Sequence, residues 1–237
     1  MTENNKPGSA RSKAEQLPLA FSHQTATGRE DLLVAAPLEA AVSIVDEWPR
    51  WPSPVVILVG PQGSGKSHLA SIWKNTSNAV AIEPKAGAEA ARAAESSPVL
   101  FEDADRTGFD DTELFHVINS VRENGTSLLI TTRQWPAAWP VTLPDLRSRL
   151  KAATVVEIGE PDEDLLAQVL MKLFADRQLY MDDKLVSYIV ARMERSLDTA
   201  QTIVERLDRL AMSRGSRISR ALAAEVLTEL GSQPEED

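Results

Sequence analysis

Apolar and polar positions along this 237-residue chain follow two rhythms. Up to about residue 159, short apolar runs stand between stretches of helical period, whereas beyond Glu160 and Pro161 the helical period alone remains. Runs at 55–59, 80–82, 99–103, 128–132 and 155–158 predict strands, and 66–74, the alanine-rich 87–94 and 112–122 predict helices between them. An earlier helix is expected over 31–48, with Leu32, Ala36, Ala40, Ile44 and Val45 as its apolar stripe, ended by the packed corner Trp48-Pro49-Arg50-Trp51-Pro52. Strands alternating with helices require a parallel sheet covered on both faces, with ligands at the carboxyl ends of the strands. The predicted fold class is therefore α/β.

Four amphipathic helices are expected after Pro161. Leu165, Leu166, Val169, Leu170, Leu173 and Phe174 form one stripe, and Ile203, Val204, Leu207, Leu210 and Ala211 form another. Asp162, Asp182, Ser196 and Ser219 stand where N-caps belong, because their side-chain oxygens can accept from the free N–H groups of a first turn. The expected organisation is a polar N-terminal tail over 1–24, an α/β domain over 25–159, a small all-α lid over 160–232 and a short tail over 233–237.

Composition narrows the classes. A hydrophobic content of 43% supports a full core. No run approaches the roughly 18 apolar residues of a membrane span, and the polar first residues lack the apolar centre of a secretion signal, so no membrane partner is expected. The absence of cysteine excludes disulfides and thiolate metal sites and suits a cytoplasmic location. His23, His68 and His116 have no metal-ligand spacing. A formal charge of −10 opposes attraction to a phosphate backbone, so direct DNA binding, sequence-specific or not, is not the expected activity.

The most specific signal is GPQGSGKS, from Gly60 to Ser67, directly after the apolar run that ends at Val59. Glycines let successive backbone N–H groups converge on phosphates, the helix that follows adds a favourable dipole, Lys66 brings charge and Ser67 a ligand for Mg2+. Gly60, Pro61, Gln62, Gly63, Ser64, Gly65, Lys66, Ser67 and His68 are thus the expected cradle for ATP or ADP. A second apolar run ends in Glu102-Asp103-Ala104-Asp105. There Glu102 is the candidate for orienting Mg2+ and Asp103 for polarising an attacking water. A third run ends in Thr131-Thr132-Arg133, where a hydroxyl could sense the outer phosphate, although ordinary strand termination explains both threonines equally well. Leu143-Pro144-Asp145-Leu146-Arg147-Ser148-Arg149-Leu150 puts two arginines on a short helical segment. Either could reach a neighbouring subunit to stabilise charge on a transferring phosphate, or serve as a surface salt-bridge residue.

The order of these parts resembles the AAA+ ATPases, and within them the group that contains the replication initiator DnaA and its regulator Hda. The resemblance covers about residues 16 to 231 and is carried by GREDLLVAAPLEAAV, GPQGSGKSHLA, VLFEDAD, LLITTRQWP and LPDLRSRL. It implies Thr132, or Thr131, as the residue that senses the outer phosphate from the strand end, and Arg149 as the arginine finger with Arg147 second. In the lid sequence SLDTAQTIVERLDRLAM, the same likeness puts Asp198 where the family carries a phosphate-sensing arginine. That departure implies weak or absent turnover by the chain itself and a preference for ADP, with Arg195 or Arg206 as possible substitutes. The helix-turn-helix domain that follows the lid of an initiator has no counterpart in the residues after 231, so the chain is not expected to be a complete initiator.

Gln16-Leu17-Pro18-Leu19-Ala20-Phe21 looks like the short peptide by which replication proteins dock on the bacterial sliding clamp. An extended segment can present Leu19 and Phe21 to an apolar pocket while the Gln16 amide bonds at its rim. Alternatively, Leu17, Leu19 and Phe21 begin the folded core. Joined to the resemblance, the first reading implies a negative regulator of replication initiation that, held on the DNA-loaded clamp, promotes hydrolysis of DnaA-bound ATP, with DnaA and the clamp as partners and oligomeric contacts through AAA+ interfaces. An autonomous ATPase that loads or remodels a replication protein, or a nucleotide-gated adaptor without catalytic effect, are the alternatives.

Overall fold

Five consecutive apolar residues form β1 (Val55–Val59), and all five are buried because the strand lies inside a sheet covered on both faces. The computed structural model describes residues 33, 35–85 and 88–231. Within it, β2 (Val80–Ala81), β3 (Val99–Phe101), β4 (Leu128–Thr132) and β5 (Thr154–Glu157) join β1 in the order β2-β3-β4-β1-β5, with every neighbouring pair parallel. Parallel pairing brings the carboxyl ends of β1, β3 and β4 to one edge, with Val59 opposite Thr132.

Successive side chains of a strand point to opposite faces, so each strand feeds two cores. Val55, Ile57 and Val59 meet Ala90, Ala91 and Ala94 of α3 (Glu89–Ser96), Leu114, Val117, Ile118 and Val121 of α5 (Asp111–Asn124), and Leu146 and Leu150 of α6 (Pro144–Lys151). On the other face Val56 and Leu58 pack with Ala41, Val42 and Val45 of α1 (Glu39–Asp46) and with Leu69, Ala70 and Trp73 of α2 (Lys66–Ser77). Trp51 stacks on Trp73 at 5.2 Å and Trp48 meets it edge-on at 6.4 Å, so the Trp-Pro segment is a packed corner.

Several element boundaries differ from expectation. The first helix begins at Glu39, after a turn that contains Pro37, and its buried stripe is Leu38, Ala41, Val42, Ile44 and Val45, while Ala36 and Ala40 are exposed. Residues 31, 32 and 34 lie outside the described residues, as does the docking segment 16–21. The acidic strand ends at Phe101, before its carboxylates, because Asp103 takes a left-handed backbone (φ 49°) and opens the short helix α4 (Ala104–Thr107). The last strand is displaced by one residue from the expected 155–158.

A third core belongs to α7 (Glu163–Asp176), α8 (Asp183–Val190), α9 (Leu197–Arg214) and α10 (Arg220–Gly231). All four expected caps are made: Asp162 accepts from Leu165 N at 2.8 Å, Asp182 from Leu185 N at 2.7 Å, Ser196 from Thr199 N at 3.2 Å and Ser219 from Leu222 N at 3.3 Å. Among the described residues, no helix is long and apolar enough to cross a membrane.

Candidate functional site

The loop between β1 and α2 turns tightly enough to aim its backbone inward. Gly63 (φ 66°) and Gly65 (φ 95°) both take left-handed conformations that side chains disfavour, and α2 starts directly at Lys66. The Lys66 ammonium is buried and donates to the carbonyls of Gly60 (2.8 Å) and Pro61 (2.7 Å). Burial lowers its pKa from the usual lysine value. Arg133 acts in the same direction, against the opposing charges of Asp103, Asp105 and Asp198. Ser64 Oγ is buried without a hydrogen-bond partner among the described residues, and a buried hydroxyl without a partner is costly. Ser67 is open to solvent at the first turn of α2, as are Pro61 and Gln62 in the loop, while His68 is half-buried behind them. A desolvated ammonium, an unsatisfied hydroxyl and a helix N-terminus fit an anionic phosphate chain.

The lid closes on this loop. Leu197 N donates to Gly63 O at 2.8 Å, and a Cβ on Gly63 would lie 1.9 Å from Ser196 Oγ. Close approach, as well as the turn, thus requires glycine at position 63. Asp198 sits in the first turn of α9 and its charge is felt at Lys66, so the lid contributes a carboxylate to the phosphate end. Of the two expected substitutes, Arg195 pairs with Glu163 at 3.1 Å and Arg206 with Glu229 at 3.8 Å.

Strand adjacency gathers the acids and hydroxyls into one network. Thr131 Oγ1 accepts from Asp103 N at 2.9 Å and is fully buried. Thr132, also fully buried, shares its hydroxyl proton between Asp105 Oδ1 (3.1 Å) and Gln134 O (3.0 Å), while Asp105 also accepts from Arg133 N at 3.0 Å. Asp105 and Arg133 are the residues that motif reading passes over. The alternation Glu102-Asp103-Ala104-Asp105 was their one available signal, since their roles depend on β3 lying beside β4. Asp103 and Asp105 are felt at Lys66, whereas Glu102 is exposed and feels the charges of Asp103 and Lys74. Partial desolvation raises the Glu102 pKa, the Asp103 charge adds to it, and Lys74 opposes both. No group of three or more His, Cys, Asp or Glu side chains able to hold a metal occurs among the described residues. A divalent cation here would take Ser67 and one carboxylate, with phosphate oxygens and water completing its shell.

The two arginines of α6 have different surroundings. Arg147 Nη2 donates to Val141 O. Nearby, Asp111 accepts from Thr142 N (2.7 Å), Thr142 Oγ1 (2.7 Å) and Leu143 N (3.0 Å), which pins the approach to the helix. Arg149 is half-buried on the same helix, and its guanidinium makes no hydrogen bond or ion pair among the described residues.

No protein-family model matches the chain. It is 26% identical over 117 residues to the chromosomal replication initiator protein DnaA of Thermomicrobium roseum, covering 49% of this chain and 25% of the initiator. It is also 25% identical over 173 residues to an uncharacterized protein of Haemophilus influenzae, covering 67% and 75% respectively. The chain thus spans about a quarter of the length of the initiator it matches. Among solved structures, domain III of the Thermotoga maritima replication initiation protein DnaA superposes with a TM-score of 0.71 at 16% identity, covering 87% of this chain and 98% of that one. AMPPCP-bound DnaA from Aquifex aeolicus gives 0.63 at 19%, over 78% and 66% of the two chains. A RuvB variant of Thermotoga maritima gives 0.62 at 15%, over 82% and 67%. The α/β sheet followed by a helical segment is an AAA+ fold.

Proposed function

We propose that this chain, a DnaA-related AAA+ protein, binds ATP or ADP with Mg2+ on the 60–67 loop and acts as a negative regulator of replication initiation. Docked on the DNA-loaded sliding clamp through Gln16, Leu17, Pro18, Leu19 and Phe21, it presents Arg149 across an AAA+ interface to ATP held by the DnaA initiator and promotes hydrolysis there. The observation that carries this reading is the contrast on α6. Arg147 is held by its own chain, whereas Arg149 has no partner among the described residues and stands on a helix fixed by Leu146 and Leu150 in the core. Such a cation is suited to stabilising charge that develops in another molecule's site.

Nucleotide on the chain's own loop orders the interface and need not turn over. Of the charges felt at Lys66, those of Asp103, Asp105 and Asp198 oppose an added γ-phosphate and that of Arg133 attracts it, so three negative charges against one positive favour ADP. The experiment is the rate of ATP hydrolysis by the cognate initiator with this protein, with and without clamp loaded on DNA. Stimulation that requires loaded clamp and disappears in Arg149→Ala, while nucleotide and clamp binding persist, supports the reading; a trans arginine supplies roughly 10^3 to 10^5 in rate. Stimulation that survives in Arg149→Ala and is lost in Arg147→Ala would transfer the role.

A second reading, an autonomous ATPase that loads or remodels a replication protein, is favoured by the assembly of Lys66, Asp103 and Thr132 at one edge of the sheet. Appreciable hydrolysis by the isolated chain would select it.

A further inference from the structure

β4 lies beside β1, and Thr132 O accepts from Gly60 N at 3.2 Å, so the residue after Thr132 leaves the sheet at the mouth of the phosphate loop. That residue is Arg133. Its backbone N–H is fixed on Asp105 Oδ1 at 3.0 Å, its side chain is half-buried, and its guanidinium makes no hydrogen bond or ion pair among the described residues. Desolvating a guanidinium without a fixed partner is unfavourable unless something anionic completes it. We propose that Arg133 is a second phosphate-binding cation of this site, gripping the outermost phosphate of a bound nucleoside triphosphate beside Lys66.

Charge balance supports this assignment. Lys66 feels the charges of Asp103, Asp105 and Asp198, and Arg133 is the positive charge that acts against them there. Without Arg133, one ammonium would have to offset three carboxylates before any phosphate entered. Arg195 and Arg206 of the lid pair with Glu163 and Glu229 and are not among the charges felt at Lys66. A planar guanidinium also suits a terminal phosphate, since it can donate two parallel hydrogen bonds. Arg133 thus offsets, from the sheet, the negative charge that Asp198 brings from the lid.

The inference rests on the nucleotide-binding reading of the loop, and the test separates the two. Isothermal titration of the full chain with ATP and with ADP, each with Mg2+, is compared for wild type, Arg133→Gln and Arg133→Lys. Loss of a charge-assisted bond to the outer phosphate weakens ATP about tenfold in Arg133→Gln and ADP much less, with Arg133→Lys in between. Equal weakening of both nucleotides, or no weakening, overturns the role of Arg133 while leaving the loop as a nucleotide site. A wild-type chain that binds neither nucleotide overturns both. Thermal unfolding of the same variants identifies a merely structural role, in which Arg133→Gln lowers the melting temperature and both affinities together.

Discussion

The phosphate loop and helix α6 each carry a cation, and the fold treats the two in opposite ways. Lys66 is buried, desolvated and satisfied by two carbonyls of its own loop, whereas Arg149 stands on a rigid helix with no partner among the described residues. An ammonium held by neutral carbonyls can exchange them for a phosphate, because a charged acceptor is the stronger partner. A guanidinium without an internal partner can be completed by another molecule at little internal cost. One region is organised to receive a ligand and the other to be offered.

Removing the inward cation has the largest expected effect. Lys66→Ala should weaken ATP and ADP binding about a hundredfold, measured by calorimetry, through loss of a buried charge-assisted contact. Retained affinity would break the comparison at its first term. Next, Gly63→Ala forces a side chain into a left-handed conformation and against Ser196, and should cost roughly 1–3 kcal/mol of stability, read from denaturant unfolding. Gly125→Ala, left-handed but with open space around it, is the control that separates backbone strain from collision.

The two arginines of α6 sharpen the contrast at smaller scale. Arg147→Ala should lose about 1 kcal/mol with its bond to Val141 O, whereas Arg149→Ala should stay within about 0.5 kcal/mol of wild type. Equal costs would mean that Arg149 is engaged within the chain. The smallest effect is titration of Asp111. Desolvation alone would raise its pKa, but the bonds from Thr142 and Leu143 and the Arg147 charge lower it overall. A lowered folded-state pKa means that the stabilisation is present above the unfolded carboxylate value and is lost as pH falls through the folded one. Asp111→Asn should therefore reduce stability at neutral pH and flatten its decline below about pH 4. An unchanged acid limb would show that Asp111 does not anchor the approach to Arg149.

What could be read without coordinates was whatever depends on local spacing. The loop from Gly60 to Ser67, the four lid caps and the five strands follow from residue types a few positions apart, where period and turn chemistry decide the structure. Misplaced features depend on contacts distant in sequence. Asp105 and Arg133 matter because β3 and β4 end side by side, and Arg147 was separable from Arg149 only once Val141 was seen to cap one of them. The first helix was placed too early because alanines carry a weak pattern, and Pro37 and the sheet select Leu38 and Ala41 in place of Ala36 and Ala40.

The bond between Leu197 N and Gly63 O gives the lid a mechanical relation to the loop. Helix α9 runs 18 residues from that point, roughly 27 Å at the usual rise per residue. A rigid-body tilt about that bond would have the phosphate cradle as its fulcrum. A tilt of about 5° at Gly63 moves the far end of α9 by about 2 Å, and α10, packed along it, travels too. A small rotation at the loop would therefore reposition the surface formed by the far end of α9 and by α10.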